Sequence, residues 1–128
     1  MTSPPAECLK ITPTGGALGA EINGVDLANH LSAETVGRLR RALLDHCVIF
    51  FRDQHISEED QVRFTSHFGR PVPHVREQPE RPIKEIFILS NITENGQPIG
   101  ALSNVEITFH SDLSYMPQPG TLSILYAI

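Results

Sequence analysis

A histidine and an aspartate lie two residues apart in the stretch TFHSDLSY, residues 108–115. If this stretch is a β-strand, His110 and Asp112 point to the same face, because alternate residues of a strand share a face. An imidazole and a carboxylate with open positions beside them belong to the ligand set of non-haem Fe(II) oxygenases, which a second histidine completes. A bare His-x-Asp pair is more often a surface ion pair or a hydrogen-bonded strand end, so the metal interpretation needs support from the rest of the chain.

The composition and charge of the chain exclude several classes of protein. With 128 residues, the chain is long enough for one domain with a core. Hydrophobic residues make up 40% and charged residues 20%, as in a soluble globular protein. The net charge of −5 argues against a nucleic-acid-binding protein. Without a signal peptide or a stretch of transmembrane length, the sequence predicts a cytoplasmic protein with no membrane partner.

The first half of the sequence predicts short strands and two helices. Glycine turns punctuate the predicted strands of CLKITP and TGGALGAEINGVDL. Ser32 is a candidate N-cap for a helix over about residues 33–46. CVIFF, residues 47–51, is a continuous apolar run typical of a strand covered on both faces. Ser57 then opens a capping box, which predicts a second helix that runs to about Phe68.

The second half of the sequence predicts an irregular loop followed by three strands. Four prolines between residues 70 and 84 exclude regular structure there. A turn-rich connection separates the first two of the predicted strands, which cover residues 86–90 (IFILS), 105–112 (VEITFHSD) and 122–128 (LSILYAI). Because a strand at the very end of a chain leaves an open sheet edge, we expect the 128 residues to be the front part of something larger.

Three segments carry a resemblance to a known family: GALGAEINGVDL, VIFFRDQ and FHSDLSY. In this order, around two predicted helices and a proline-rich loop, the chain from Ile11 to Ile128 resembles the taurine dioxygenase family of Fe(II)- and 2-oxoglutarate-dependent oxygenases. The resemblance implies an α+β, mainly β fold, a double-stranded β-helix (jelly roll) with two outer helices. It also implies that residues 1–128 form a single domain, the N-terminal portion of such a jelly roll, truncated within a strand.

The resemblance assigns His110 and Asp112 to the first two iron ligands of the family. In the family the third ligand, a second histidine, follows well downstream, as do the arginine and threonine that bind 2-oxoglutarate. We therefore expect these residues beyond Ile128 and expect the 128 residues alone to be inactive. The implied reaction uses O2 to decarboxylate 2-oxoglutarate and hydroxylates a C–H bond of a small, anionic organic substrate of the taurine, alkylsulfate or chlorophenoxyacetate class. Nothing in the sequence opposes a homo-oligomer.

Two more residues are candidate substrate contacts. His74, in RPVPHV, matches a family histidine that contacts the sulfonate of taurine, and an exposed loop histidine is the alternative interpretation. Glu106 lies four residues before His110 and would share its strand face, where it either contacts an amine of the substrate or lies at a solvated strand end. The tyrosine that accompanies the histidine in taurine enzymes is Glu77 here. A carboxylate at that position disfavours taurine itself.

Three interpretations of the sequence stay open. The first is the N-terminal half of an Fe(II)- and 2-oxoglutarate-dependent dioxygenase, and the second is a catalytically inactive fragment of the same fold. The third is a jelly-roll binding module in which His110 and Asp112 are structural or bind zinc adventitiously.

Overall fold

The computed structural model of the protein describes residues 8–76, 78–101 and 108–128. The chain separates after Pro71 into two compact units. All the hydrophobic residues that are buried among the described residues lie in the first unit: Leu9, Ala20, Ile22, Val25, Leu27, Leu39, Ala42 and Phe64.

The first unit contains a three-stranded sheet in the order β1-β2-β3. The outer strands β1 (Lys10–Pro13) and β3 (Ile49–Phe51) flank β2 (Ala20–Asn23), antiparallel on the β1 side and parallel on the β3 side. The turn after β2 requires a glycine at position 24, where φ is +82° and a Cβ atom would collide with the carbonyl of Cys8. The strands predicted in CLKITP and TGGALGAEINGVDL are confirmed, whereas the strand predicted over residues 47–51 covers only Ile49–Phe51 and is half-buried rather than covered on both faces.

The first helix, α1 (Ala33–His46), is the one predicted from its cap. The Ser32 Oγ accepts a hydrogen bond of 3.1 Å from the Thr35 backbone N–H, which satisfies one of the free donors of the first turn. Leu39, a residue of this helix, is fully buried. Cys47 ends α1 in a left-handed conformation with φ of +65°, so β3 begins only at Ile49.

The second helix, α2 (Glu58–Ser66), begins with the predicted capping box. Ser57 Oγ accepts from the Asp60 backbone N–H at 3.1 Å, and Asp60 Oδ2 accepts in return from the Ser57 N–H at 3.0 Å. The buried Phe64 lies edge-to-face against Phe51 of β3, with ring centroids 5.5 Å apart. The helix is two residues shorter than predicted, because the Phe68 N–H bonds to the Thr65 carbonyl in a tightened last turn.

In the second unit, the proline-rich segment forms no helix or strand among its described residues, as predicted. A two-stranded hairpin follows, made of β4 (Thr93–Glu94) and β5 (Gln97–Pro98). Asn95 and Gly96 connect the strands with φ of +51° and +76°. An Asn-Gly pair favours the two-residue type I′ turn, in which both central residues have positive φ. The segment predicted only as a turn-rich connection therefore contains a β-hairpin, and its Asn-Gly pair was the sequence signal for it.

The strands predicted at residues 86–90 and 122–128 are not formed, so those two predictions are wrong, and the strand predicted at 105–112 is only partly within the described residues. Residues 86–90 form no ladder: the Gln78 side chain bonds to the N–H and the carbonyl of Ile88 at 2.9 and 3.0 Å, and the Ala101 N–H, at 3.1 Å from the same carbonyl, is a single backbone contact. Residues 108–112 form no strand, and residues 105–107 lie outside the described part of the chain. Residues 122–128 pair with no neighbouring strand that the structure describes, and a strand needs such a partner.

The described elements are therefore an α+β set with the two predicted helices and two small sheets. The prediction of a mainly β chain is not met by these residues. No helix within the described ranges combines the length and apolar character needed to cross a bilayer.

Candidate metal centre

The structure brings the predicted pair of metal ligands together. His110 Nε2 lies 3.2 Å from Asp112 Oδ1, so the imidazole and the carboxylate share one side of the chain. The backbone that achieves this contact is not the predicted strand: residues 112–115 form a turn in which Leu113 has φ of +51°. Both side chains are more than half exposed, 56% for His110 and 60% for Asp112.

A hydrogen bond determines which ring nitrogen of His110 has a lone pair available for a metal. The Nδ1 atom lies 2.9 Å from the Thr108 carbonyl oxygen, and a carbonyl can only accept, so Nδ1 carries the hydrogen. In the neutral ring the lone pair is then on Nε2, the atom that faces Asp112. Metal-binding histidines in proteins are commonly held in this way, by a donor bond from the ring nitrogen that does not bind the metal.

The space between Nε2 and Oδ1 suits a positive charge. An imidazole lone pair and an ionised carboxylate oxygen repel each other at this distance unless a proton or a cation lies between them. The bond to the Thr108 carbonyl, reinforced by the Asp112 carboxylate, accordingly raises the pKa of His110 above its ordinary value against the opposing effect of desolvation. A metal ion that binds Nε2 and Oδ1 would take the place of that proton.

These nitrogen and oxygen donors fit Fe(II), which takes two imidazoles and one carboxylate in its facial triad. In the residues that the structure describes, no group of three or more His, Cys, Asp or Glu side chains could hold a metal. The pair thus offers two donors of the types found in such a triad.

Asp112 has a second partner that the sequence analysis missed. Ser123 Oγ donates a hydrogen bond of 2.9 Å to Asp112 Oδ2, across eleven positions of the chain. A signal for this residue was present in the sequence, because Ser123 is a small hydroxyl residue inside the otherwise apolar run LSILYAI. The sequence offered no means of pairing it with Asp112.

His74 is held by a stacked ring and a backbone donor. Its ring lies over that of Phe87, with centroids 4.1 Å apart and planes 21° apart. The Arg76 backbone N–H donates to His74 Nδ1 at 3.0 Å, so Nδ1 accepts and the hydrogen of the neutral ring is on Nε2. His74 is half-buried and thus differs from a freely solvated loop histidine.

The His74 ring lines an open cleft of about 290 Å³ in the second unit. The cationic side chains at this cleft belong to Arg76 and Lys84, and its other walls are Pro73, Gln78, Pro79, Ile86 and Phe87. An anionic group could receive the Nε2–H of His74 beside these two positive charges. The other proposed substrate contact, Glu106, lies outside the described residues, as does Glu77.

Comparison with known proteins supports the resemblance seen in the sequence. Residues 10–128 match the family described as "Taurine catabolism dioxygenase TauD, TfdA family". The chain is 34% identical over 130 residues to the alpha-ketoglutarate-dependent sulfate ester dioxygenase of Pseudomonas putida, covering 99% of this chain and 40% of that protein. It is 33% identical over 122 residues to the alkylsulfatase of Acinetobacter baylyi, covering 94% of this chain and 36% of that protein.

A solved structure gives the same result for part of the fold. The crystal structure of a taurine dioxygenase from Burkholderia xenovorans superimposes with a TM-score of 0.50 and 40% identity, over 56% of this chain and 27% of that chain. The chain thus spans well under half the length of these relatives. The family match nevertheless covers every residue after Leu9. The chain belongs to the taurine catabolism dioxygenase TauD, TfdA family.

Proposed function

We propose that the protein acts as an Fe(II)- and 2-oxoglutarate-dependent dioxygenase that hydroxylates a small, anionic organic substrate. The observation that carries this proposal is the contact of 3.2 Å between His110 Nε2 and Asp112 Oδ1. Those two atoms are an imidazole nitrogen and a carboxylate oxygen, the donors that non-haem iron requires. Family membership makes an iron centre a more economical explanation of the contact than a surface ion pair.

His110 and Asp112 would hold the iron, which when bound supplies the site for 2-oxoglutarate and O2. The role of the protein residues is to present their donors without rearrangement. The Thr108 carbonyl holds the His110 ring in the tautomer with a free Nε2. Asp112 offers Oδ1 on the same side.

The proposal needs parts that these 128 residues do not contain. We expect the third iron ligand, a histidine, and the arginine and threonine for 2-oxoglutarate to follow Ile128 in a longer chain. The matched relatives are more than twice as long as the matched stretch, which supports this expectation. In the same proposal, residues 1–128 belong to a single jelly-roll domain of a cytoplasmic enzyme that has no nucleic-acid or membrane partner, and a homo-oligomer is compatible with it.

For the substrate we propose an organic sulfate ester or a related anion. The His74 Nε2–H, fixed by the Arg76 backbone and stacked on Phe87, suits an anionic oxygen. Arg76 and Lys84 line the same cleft and add positive charge. The names of the two curated relatives, an alkylsulfatase and a sulfate ester dioxygenase, point to the same substrate class.

A second candidate is a non-catalytic protein of the same family. The observation that favours it is the exposure of His110 and Asp112, which bond to each other as a surface pair also would. In this case the pair would order the turn at residues 112–115, and any bound zinc would be adventitious.

The test is succinate release from 2-oxoglutarate by the protein read to its natural stop codon, with Fe(II), O2 and a panel of sulfate esters, sulfonates and carboxylates. We expect turnover with at least one anion and a fall of about 100-fold or more in His110→Ala, since ligand loss should exceed the effect of losing an outer partner. His55→Ala, at an exposed histidine of the first unit, is the matched control and should keep full activity. Activity that survives His110→Ala would refute the assigned centre, and no turnover with any anion would favour the non-catalytic protein.

A further inference from the structure

We infer that Ser123 is a positioning residue for the metal ligand Asp112. The inference rests on the proposed function, because it assigns Ser123 a role at the iron centre proposed for His110 and Asp112. Ser123 bonds to the Asp112 oxygen that faces away from His110, and its role is to decide which Asp112 oxygen faces His110.

The two oxygens of Asp112 have different partners. Oδ2 accepts the Ser123 hydroxyl at 2.9 Å, while Oδ1 faces His110 Nε2 at 3.2 Å. A carboxylate can bind a metal through one oxygen or through both. With the Ser123 hydroxyl on Oδ2, Oδ1 is the oxygen left for a metal that also binds His110, so the geometry favours ligation by one oxygen.

Packing does little to hold this carboxylate in place. The Asp112 side chain is 60% exposed, and the terminal torsion of an aspartate is broad when nothing fixes it. The Ser123 bond is therefore an important restraint on the plane of the carboxylate. His110 has the equivalent restraint through its Nδ1 bond to the Thr108 carbonyl.

The segment around Ser123 can act as a firm anchor. Leu122, Ile124 and Tyr126 are half-buried, whereas Ser123 and Leu125 between them are exposed. The half-buried side chains thus hold the segment on both sides of Ser123, which itself stays exposed and bonds to Asp112. Ser123 thus links residues 122–126 to the turn that carries Asp112, although the two residues lie far apart in the sequence.

The test measures Mn(II) binding by paramagnetic broadening of the NMR signals of residues 108–114, which detects weak sites and needs no catalysis. Ser123→Ala should weaken Mn(II) binding about tenfold or more, the effect expected for losing a partner behind a metal ligand. Ser123→Thr and Ser123→Val introduce side chains of nearly the same shape, but only threonine keeps the hydroxyl. Ser123→Thr should therefore retain Mn(II) binding, and Ser123→Val should lose it. Thr121→Ala, an exposed hydroxyl two residues away, should leave binding unchanged.

The outcomes distinguish this inference from the proposed function. Unchanged Mn(II) affinity in both Ser123→Ala and Ser123→Val would overturn the role of Ser123 and leave the centre intact. A wild-type protein that binds Mn(II) no better than Asp112→Ala would overturn the centre and the inference together. A loss of Mn(II) binding in Ser123→Val but not in Ser123→Thr, with no succinate release by the wild type, would support the positioning role and contradict the enzymatic function.

Discussion

His74 and His110 have opposite hydrogen-bond partners at Nδ1, and these partners suit the two different roles that we propose for them. At His74 a backbone N–H occupies Nδ1, which places the hydrogen on Nε2 and makes that atom a donor. At His110 a backbone carbonyl accepts from Nδ1, which in the neutral ring leaves the lone pair on Nε2, as the proposed role of a metal ligand requires. The first arrangement suits an anionic group and the second suits a cation.

The donor role of His74 predicts a defect confined to the substrate. In the active full-length protein, His74→Ala should cost about 1.5–3 kcal/mol of substrate binding. That cost corresponds to a rise in KM of roughly 10- to 150-fold. Titrations of Fe(II) and 2-oxoglutarate should be unchanged, because His74 is proposed to contact only the substrate.

His74→Gln is the matched variant for this prediction. Its side-chain amide can place an N–H close to the position of Nε2, so it should recover part of the lost affinity. If His74→Ala keeps the wild-type KM for the best substrate, His74 is only a loop residue.

At the scale of elements, the first unit could be predicted because its signals are local. Ser32 and Ser57 stand directly before the helices that they cap, and glycine turns bound β1 and β2. In the second unit, strands were predicted at residues 86–90 and 122–128 but do not form, because a strand depends on a neighbour that a single segment does not reveal. At Ile88 the Gln78 side chain, ten residues earlier, bonds to both backbone groups, a contact that no local pattern in the sequence indicates.

The candidate centre was predictable to a similar extent. The residue types and spacing of His110 and Asp112 identified the pair, although a turn rather than a strand brings the side chains together. Ser123 could not be paired with Asp112 because the contact spans eleven positions.

The capping box of α2 predicts a pH dependence of stability. The bond from the Ser57 backbone N–H, then those with Arg63 and the Ser57 hydroxyl, lower the pKa of Asp60 below its ordinary value. A carboxyl with a lower pKa in the folded than in the unfolded state stabilises the fold above its unfolded pKa, near pH 4. This stabilisation should disappear as the pH falls through the lower, folded value.

Urea unfolding measured across the acidic range tests this dependence. Asp60→Asn should be less stable than the wild type at neutral pH, and the difference should shrink as the pH falls below about 4. Glu59→Gln, which changes an exposed acid of the same turn, serves as the control. A difference between Asp60→Asn and the wild type that does not vary with pH would show that Asp60 stabilises the helix without its charge.

At the scale of the whole molecule, the two units differ in how completely they are packed. The first contains all the buried apolar residues found among the described positions. In the second unit, the apolar side chains of Phe109, Leu125 and Ile128 are largely exposed. Exposed apolar groups of this size favour association with other surfaces. Under the proposed function, the remaining strands of a jelly roll would cover them.

We propose that these residues are the iron-binding front part of a 2-oxoglutarate-dependent dioxygenase. The most direct measurement compares succinate release and substrate consumption by the 128-residue chain and by a chain extended to the natural stop codon. We expect the extended chain to release succinate and consume an anionic substrate in equal amounts, and the 128-residue chain to do neither, because two ligands leave the facial triad incomplete. Turnover by the short chain at the rate of the long one, abolished by His110→Ala, would contradict the proposal that the third ligand and the 2-oxoglutarate contacts lie beyond Ile128. Inactivity of both chains across the full panel of anions would contradict the proposed function itself.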